Sequence, residues 1–223
     1  MSIQENLIEI KKTIPDFVKL IAVSKTKPNE DILLAYNSGQ RVFGENKAQE
    51  LSEKYQELPK DIEWHFIGHL QTNKVKFIAP FVSLVHSIDS IKLMEDINKE
   101  AKKNNRIIDC LMQFHIAEED TKFGFDFNEA SRLLNSNIFA SLENIRIIGV
   151  MGMATYTDNE VQIRKEFQNL KLIFDQLKSE IFKDNISFKE ISMGMSDDYQ
   201  IAIEEGSTMV RIGSSIFGTR NLI

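Results

Sequence analysis

The sequence predicts an α/β protein built as a single (β/α)8 barrel spanning residues 1–223, and three observations predict it. Strand-like apolar runs recur eight times, a helical or turn-like segment follows each, and no Pro/Gly/Ser-rich linker interrupts the alternation. An open doubly wound sheet is the competing α/β fold. It usually has fewer strands and often a Gly-rich fingerprint after the first, and neither G-x-G-x-x-G nor a P-loop sequence occurs here. In a barrel the functional residues sit at the C-terminal ends of the strands, so those ends carry the functional reading.

Before the barrel, Ile3, Leu7 and Ile10 recur at helical spacing and Lys11 and Lys12 precede Pro15, which gives an extra amphipathic helix over 2–12. The first strand covers 19–25. Asn29 then caps a helix through Ile32, Leu33, Leu34 and Tyr36, closed by Gly39. A strand from Arg41 to Glu45 feeds a helix from Lys47 to Glu57. The alternation continues with strand 62–67 and a helix through the seventies, strand 82–87 and helix 90–104, and strand 107–114 and a helix near 128–136. It closes with strand 145–151 and helix 159–180, strand 188–193 and a short helix 197–205, and strand 208–212 with a last helical turn.

Hydrophobic residues at 42% and charged residues at 27% are ordinary for a globular protein. The net charge of −6 argues against a general affinity for nucleic acid or an anionic membrane, yet leaves room for a small anionic ligand in a locally positive site. Cys110 is the only cysteine and lies in an apolar run, so it reads as a buried thiol. The start lacks a basic segment followed by an apolar one, and no apolar run reaches membrane-spanning length. A cytoplasmic location is expected.

In the first strand Ile21, Val23 and Lys25 share one face while Leu20, Ala22 and Ser24 share the other. Desolvation at the end of an apolar face favours the uncharged form of an amine, which makes Lys25 a usable nucleophile towards a carbonyl. On these residues alone, a lysine snorkelling from a strand terminus is the more common case. The other strand ends present Gly44, Glu45 and Asn46; Gly68 and His69; Ser87 and Asp89; Gln113 and His115; Met151 and Met153; Ser192 and Ser196; and Arg211, Gly213 and Ser214.

Arg211 interrupts an apolar strand, which puts its guanidinium in the barrel mouth and requires an acceptor for it, a structural carboxylate being one candidate. Gly213-Ser214-Ser215 and Ser192-Met193-Gly194-Met195-Ser196 follow strands eight and seven, where barrels commonly hold a phosphate. Asp197 and Asp198 would repel an anion, so they are assigned to capping the next helix. His65 and His69 lie about 13 Å apart along a strand-like run, which argues against a metal pair, and His86 and His115 have no neighbouring ligand set. Lys74 and Lys76 read as a solvated helix or as a partner surface.

Six segments together carry a resemblance that covers Leu20 to Arg220. They are Ala22-Val23-Ser24-Lys25-Thr26-Lys27-Pro28, Phe43-Gly44-Glu45-Asn46-Lys47, Trp64-His65-Phe66-Ile67-Gly68-His69-Leu70-Gln71-Thr72-Asn73-Lys74, Gly149-Val150-Met151-Gly152-Met153, Ser192-Met193-Gly194-Met195-Ser196-Asp197-Asp198 and Val210-Arg211-Ile212-Gly213-Ser214-Ser215-Ile216-Phe217-Gly218. In these the chain resembles the pyridoxal phosphate homeostasis proteins, small relatives of the N-terminal barrel of alanine racemase with the fold type III of pyridoxal 5'-phosphate (PLP) proteins.

The resemblance implies PLP as cofactor, bound as a Schiff base on Lys25, with Arg211 facing the pyridine nitrogen. It implies that Ser192, Gly213 and Ser214 hold the phosphate, that Asn46 lies near the ring hydroxyl and that Met151 lies against the ring. Gln113-Phe114-His115 departs from the Gln-Val-Asn expected after strand five. The implied role is PLP binding and buffering without established catalysis, with PLP-dependent apoenzymes as candidate partners and no nucleic acid or membrane. The 223 residues are used up by the barrel, leaving none for the β-domain that supplies the racemases' second acid/base residue. Two alternatives stand beside this reading: a racemase-like PLP enzyme whose second base is His69, His115 or a residue of another chain, and a barrel enzyme in which Lys25 meets a carbonyl substrate directly.

Overall fold

A computed structural model describes residues 2–118 and 123–218; Arg220, where the resemblance ends, lies outside them. Eight strands close in sequence order into one parallel barrel: β1 Lys19–Val23, β2 Val42–Glu45, β3 Glu63–Phe66, β4 Leu84–Ile88, β5 Ile108–Gln113, β6 Ile145–Met151, β7 Glu190–Ser192 and β8 Met209–Ile212, with β8 pairing back onto β1. The helices are α1 Ile3–Thr13, α2 Asn29–Asn37, α3 Ala48–Glu57, α4 Val75–Ile78 after a 3-10 turn at Thr72–Lys74, α5 Ile91–Lys103, α6 Phe127–Leu134, α7 Asn137–Ala140, α8 Glu160–Glu180, α9 Tyr199–Glu204 and α10 Ser214–Phe217.

The period of two along each strand sorts side chains into two layers. Ile21, Leu84, Leu111, Met151 and Met209 fill the barrel interior, while Leu20, Ala22, Phe43, Trp64 and Phe66 face outward beneath the helices. Each fully buried Leu, Ile or Phe contributes about 1.5–3 kcal/mol by leaving water, so these layers dominate the stability. Cys110 is fully buried, and burial pushes its thiol well above the usual range.

The leading helix α1 starts with a capping box. The Ser2 hydroxyl accepts from the Glu5 N–H at 3.2 Å, and the Glu5 carboxylate accepts from the Ser2 N–H at 2.8 Å. Its Leu7 and Ile10 are buried, and the Asn6 side chain donates to the Ile216 carbonyl at 3.0 Å, which ties α1 to α10.

Three local expectations differ from the structure. Pro28, not Asn29, precedes the first turn of α2, and the Asn29 side chain donates to Glu57 instead, because a proline's fixed φ already sets the helix entry. The short helix α7 follows α6, started by the Ser136 hydroxyl accepting from the Phe139 N–H; its four residues are too few to show a helical period. Strand β1 ends at Val23, so Ser24 and Lys25 begin a loop.

Candidate functional site

At the C-terminal mouth the strand ends surround a cavity of about 400 Å³ whose walls include Lys25, Asn46, Arg211, Gly213 and Ser214. This is the end of the barrel at which barrel enzymes carry their sites.

Lys25 is half-buried on the wall, and the residues on either side of it are clamped to α3. The Lys54 ammonium donates to the Ser24 carbonyl at 2.9 Å, to Glu45 Oε1 at 2.8 Å and to Glu50 Oε1 at 2.7 Å. The Ser24 hydroxyl donates to the same Glu45 oxygen at 2.6 Å, and the Thr26 N–H donates to Glu50 at 2.7 Å. Thr26 has φ +65, a left-handed conformation that a β-branched residue adopts only when its surroundings impose it.

Burial pushes the Glu45 carboxyl up, against the pull of Lys54, and its Oε2 finds no hydrogen-bond partner among the described residues. Burial also raises Glu50, but hydrogen bonds from Lys54 and from the Thr26 N–H outweigh it and hold the carboxyl below its usual value. The Lys27 ammonium donates to the carbonyls of Phe217 at 2.9 Å and Gly218 at 3.3 Å, which anchors it to the end of α10.

Arg211 is 4% exposed and projects from β8 into the barrel mouth. Its Nη1 donates to the Ser192 hydroxyl at 2.6 Å and its Nη2 to the Gly152 carbonyl at 3.1 Å, so its acceptors are neutral dipoles and not the structural carboxylate that the sequence suggested. Burial lowers its pKa to about 10, against the pull of Asp198, and it stays charged at neutral pH.

Ser192 and Met151 are fully buried and do not reach the cavity wall. Met151 packs with Ile21 and Leu111 in the interior, and Met153, two residues further along the same face, lines the cavity in its place. Ser196 also reaches the wall, where its hydroxyl accepts from the Gly213 N–H at 3.2 Å. The N–H groups of Ser214 and Ser215, in the first turn of α10, have no acceptor within that helix. A Cβ on Gly213 would stand 3.2 Å from the Val23 carbonyl oxygen and from Val23 Cβ, so this loop crosses β1 closely because residue 213 has no side chain.

The aspartates do not act as helix caps. Asp197 lines the cavity, while Asp198 precedes α9 but accepts from the Met195 N–H at 2.5 Å; burial raises its carboxyl, against that hydrogen bond.

Asn46 reaches the wall because Gly68 lies against it: a Cβ on Gly68 would stand 2.6 Å from Asn46 Cβ. The Asn46 Oδ1 is buried without a partner among the described residues. On the opposite wall the Gln113 amide donates to the Phe123 carbonyl at 2.9 Å. His69 stacks on Phe123 with ring centroids 4.3 Å apart and pairs with Asp89 at 2.9 Å. His115 is exposed and lies off the wall. His65 and His86 are buried in the interior and touch each other, Nδ1 to Nε2, at 2.9 Å. No three His, Cys, Asp or Glu side chains among the described residues converge as a metal site.

The sequence reading missed the Lys54 clamp, whose one signal was the Glu50/Lys54 spacing of four on a helix face. It also missed the histidine contact, although the alternation of β3 and β4 turns both rings inward.

Fold and site define a class: parallel (β/α)8 barrels with a lysine after the first strand and an arginine in the last, both facing one cavity. The chain belongs to the family of the alanine racemase N-terminal domain, whose profile matches residues 1–221, and within it to the pyridoxal phosphate homeostasis proteins. The pyridoxal phosphate homeostasis protein of Aquifex aeolicus is 42% identical over 203 residues, which is 91% of this chain and 87% of that protein. The structure of PipY from Synechococcus elongatus PCC7942 with PLP bound matches with TM-score 0.88 at 32% identity, over 97% of this chain and 100% of that one. Alanine racemase of Clostridium difficile 630, at 18% identity and TM-score 0.76, shares the fold over 99% of this chain and 56% of its own.

Proposed function

We propose that this protein binds PLP in the barrel-mouth cavity, covalently through Lys25, and serves cytoplasmic PLP homeostasis as a carrier or regulator that supplies PLP-dependent apoenzymes. The observation that carries the reading is the convergence of Lys25, Asn46, Arg211, Gly213 and Ser214 on one cavity. PLP-bound PipY and the names of the curated relatives support it.

The residues suit the group. When bound, PLP supplies an aldehyde that condenses with an amine and a ring that accepts electron density. Lys25 provides that amine: its nitrogen adds to the aldehyde carbon, and water leaves as the Schiff base forms. Lys27 is the less suited of the two lysines, since the carbonyls of Phe217 and Gly218 hold its ammonium. The unpartnered Asn46 Oδ1 accepts a hydrogen bond from the ring hydroxyl. The free N–H groups after Gly213 receive the phosphate, and Met153 stands where a contact with the ring was expected of Met151. Arg211 faces the pyridine nitrogen and disfavours its protonation, because two cations would then meet.

Borohydride reduction of the yellow protein followed by peptide mapping tests this. The label is expected on Lys25. Recovery chiefly on Lys27 would overturn the assignment, and no label at all would overturn the cofactor reading.

A further inference from the structure

We propose that Ser192 and His86 are positioning residues that hold the Arg211 guanidinium against the cavity, as links of a one-way hydrogen-bonded chain that crosses the barrel interior and ends at His65. The consequence for bound cofactor rests on the function proposed above; the chain itself does not.

Four side chains from four strands make the chain. Arg211 of β8 donates to Ser192 Oγ of β7 at 2.6 Å, Ser192 Oγ lies 2.9 Å from His86 Nδ1 of β4, and His86 Nε2 lies 2.9 Å from His65 Nδ1 of β3. All four residues are at most 4% exposed, so water does not compete for these bonds.

Hydrogen-bond chemistry then fixes the direction. A guanidinium has donors only, so Ser192 Oγ accepts from Arg211. If His86 carried its hydrogen on Nδ1, the Ser192 oxygen would accept twice, and its own hydroxyl hydrogen would be left without an acceptor in a buried site, at a cost of about 1–3 kcal/mol. The satisfied arrangement has Ser192 donating to His86 Nδ1, His86 donating from Nε2 to His65 Nδ1, and His65 carrying its hydrogen on Nε2. His65 also borders a second cavity at the opposite mouth of the barrel, beside Lys19 and Glu63, so the chain spans the interior from one mouth to the other.

Both rings remain neutral, since burial holds them far below the usual imidazole value and a positive His86 would stand against the Arg211 charge. Because the acceptors of Arg211 are a hydroxyl and a carbonyl, the direction of its charge depends on how those dipoles are held. His86 holds the hydroxyl.

The test compares wild type with Ser192→Ala, His86→Phe and His86→Asn, the last retaining an oxygen acceptor where Nδ1 lies. In the PLP-free protein, ¹⁵N NMR is expected to show His65 and His86 neutral with hydrogen on Nε2, and the Nη–H resonances of Arg211 separately resolved. Those resonances merge in Ser192→Ala and His86→Phe and stay resolved in His86→Asn. With PLP bound, the pH midpoint of the visible band shifts, and the affinity falls about tenfold, the scale of one charge-assisted hydrogen bond, in the first two variants only.

Hydrogen on His86 Nδ1, or unchanged Arg211 resonances in Ser192→Ala, would overturn the proposal. Ser192→Ala, the smallest change, decides the matter should His86→Phe not fold. A wild-type protein that forms no visible band would refute the proposed function, while the PLP-free resonances still decide this one.

Discussion

His65 and His86 are enclosed in the barrel interior, and burial holds His65 at about 3 and His86 well below the usual imidazole value. The unfolded chain has imidazoles near 6.5, so below that pH it binds more protons than the folded protein, and stability falls as the solution is acidified. The contribution is complete above about pH 6.5 and is lost as pH falls toward the folded value. For His65 the loss between pH 6.5 and pH 5 is about 2 kcal/mol. Glu45 acts with the opposite sign: burial raises its carboxyl, so the folded protein takes up that proton before the unfolded chain does. Urea unfolding of wild type and His65→Asn at pH 7 and pH 5 separates the two, since Asn retains an acceptor for His86. The variant is expected to lose about 2 kcal/mol less on acidification, and equal losses would contradict the assignment. Lys25 and Arg211 were legible in the sequence because Lys25 ends the inward face of an apolar run and Arg211 interrupts one. The histidine contact was not, because it joins side chains 21 positions apart and depends on which strands adjoin.

The loop after β1 shows how one element positions another's functional group. Ser24 and Thr26 flank Lys25 and are both tied to α3 through Lys54, Glu45 and Glu50, so the lysine's backbone is held from outside the barrel while its side chain faces the cavity. Lys54→Met removes the one cation of this cluster and strands Glu45, which is fully buried. Removing one partner of a buried pair costs about 3–5 kcal/mol, which in a chain of this size lowers Tm by about 10 °C. Thermal unfolding checks the stability, and pairing Lys54→Met with Glu45→Gln recovers much of the loss by removing the stranded charge. A shift of one or two degrees would show that water or a rearranged Lys47 replaces Lys54. The strands and the longer helices were legible, since they show their period. The clamp was not, because Lys54 on a helix otherwise rich in Glu and Gln looks like any solvated residue. Loop geometry was the least legible: Asp197 and Asp198 have the composition of a cap, yet a local bond three residues back turns Asp198 to the Met195 N–H and away from the helix.

At the scale of the molecule, the alternation of eight strands with helices was enough to predict a closed barrel, and closure brings residues 25, 46, 113 and 211 to one mouth. What such a mouth does with PLP depends on the acid/base groups around it. Abstraction of an amino acid's α-proton needs a positioned base and a ring able to accept the electrons. If Lys25 carries the cofactor as proposed above, its amine, once released, serves one face of a bound amino acid. Among the described residues of the cavity the other imidazole or amine candidates are Lys27, held by two carbonyls, and His69, stacked on Phe123 and paired with Asp89. In the proposed pose, Arg211 opposes protonation of the pyridine nitrogen and so weakens the ring as an electron sink. Both deficits favour holding the cofactor over turning over an amino acid. The PLP-loaded protein, incubated with L- and D-amino acids in deuterated water, is therefore expected to exchange α-protons no faster than free PLP. Steady exchange well above that level, lost in Lys25→Ala, would make the protein an enzyme, and its further loss in His69→Asn would identify His69 as the second base.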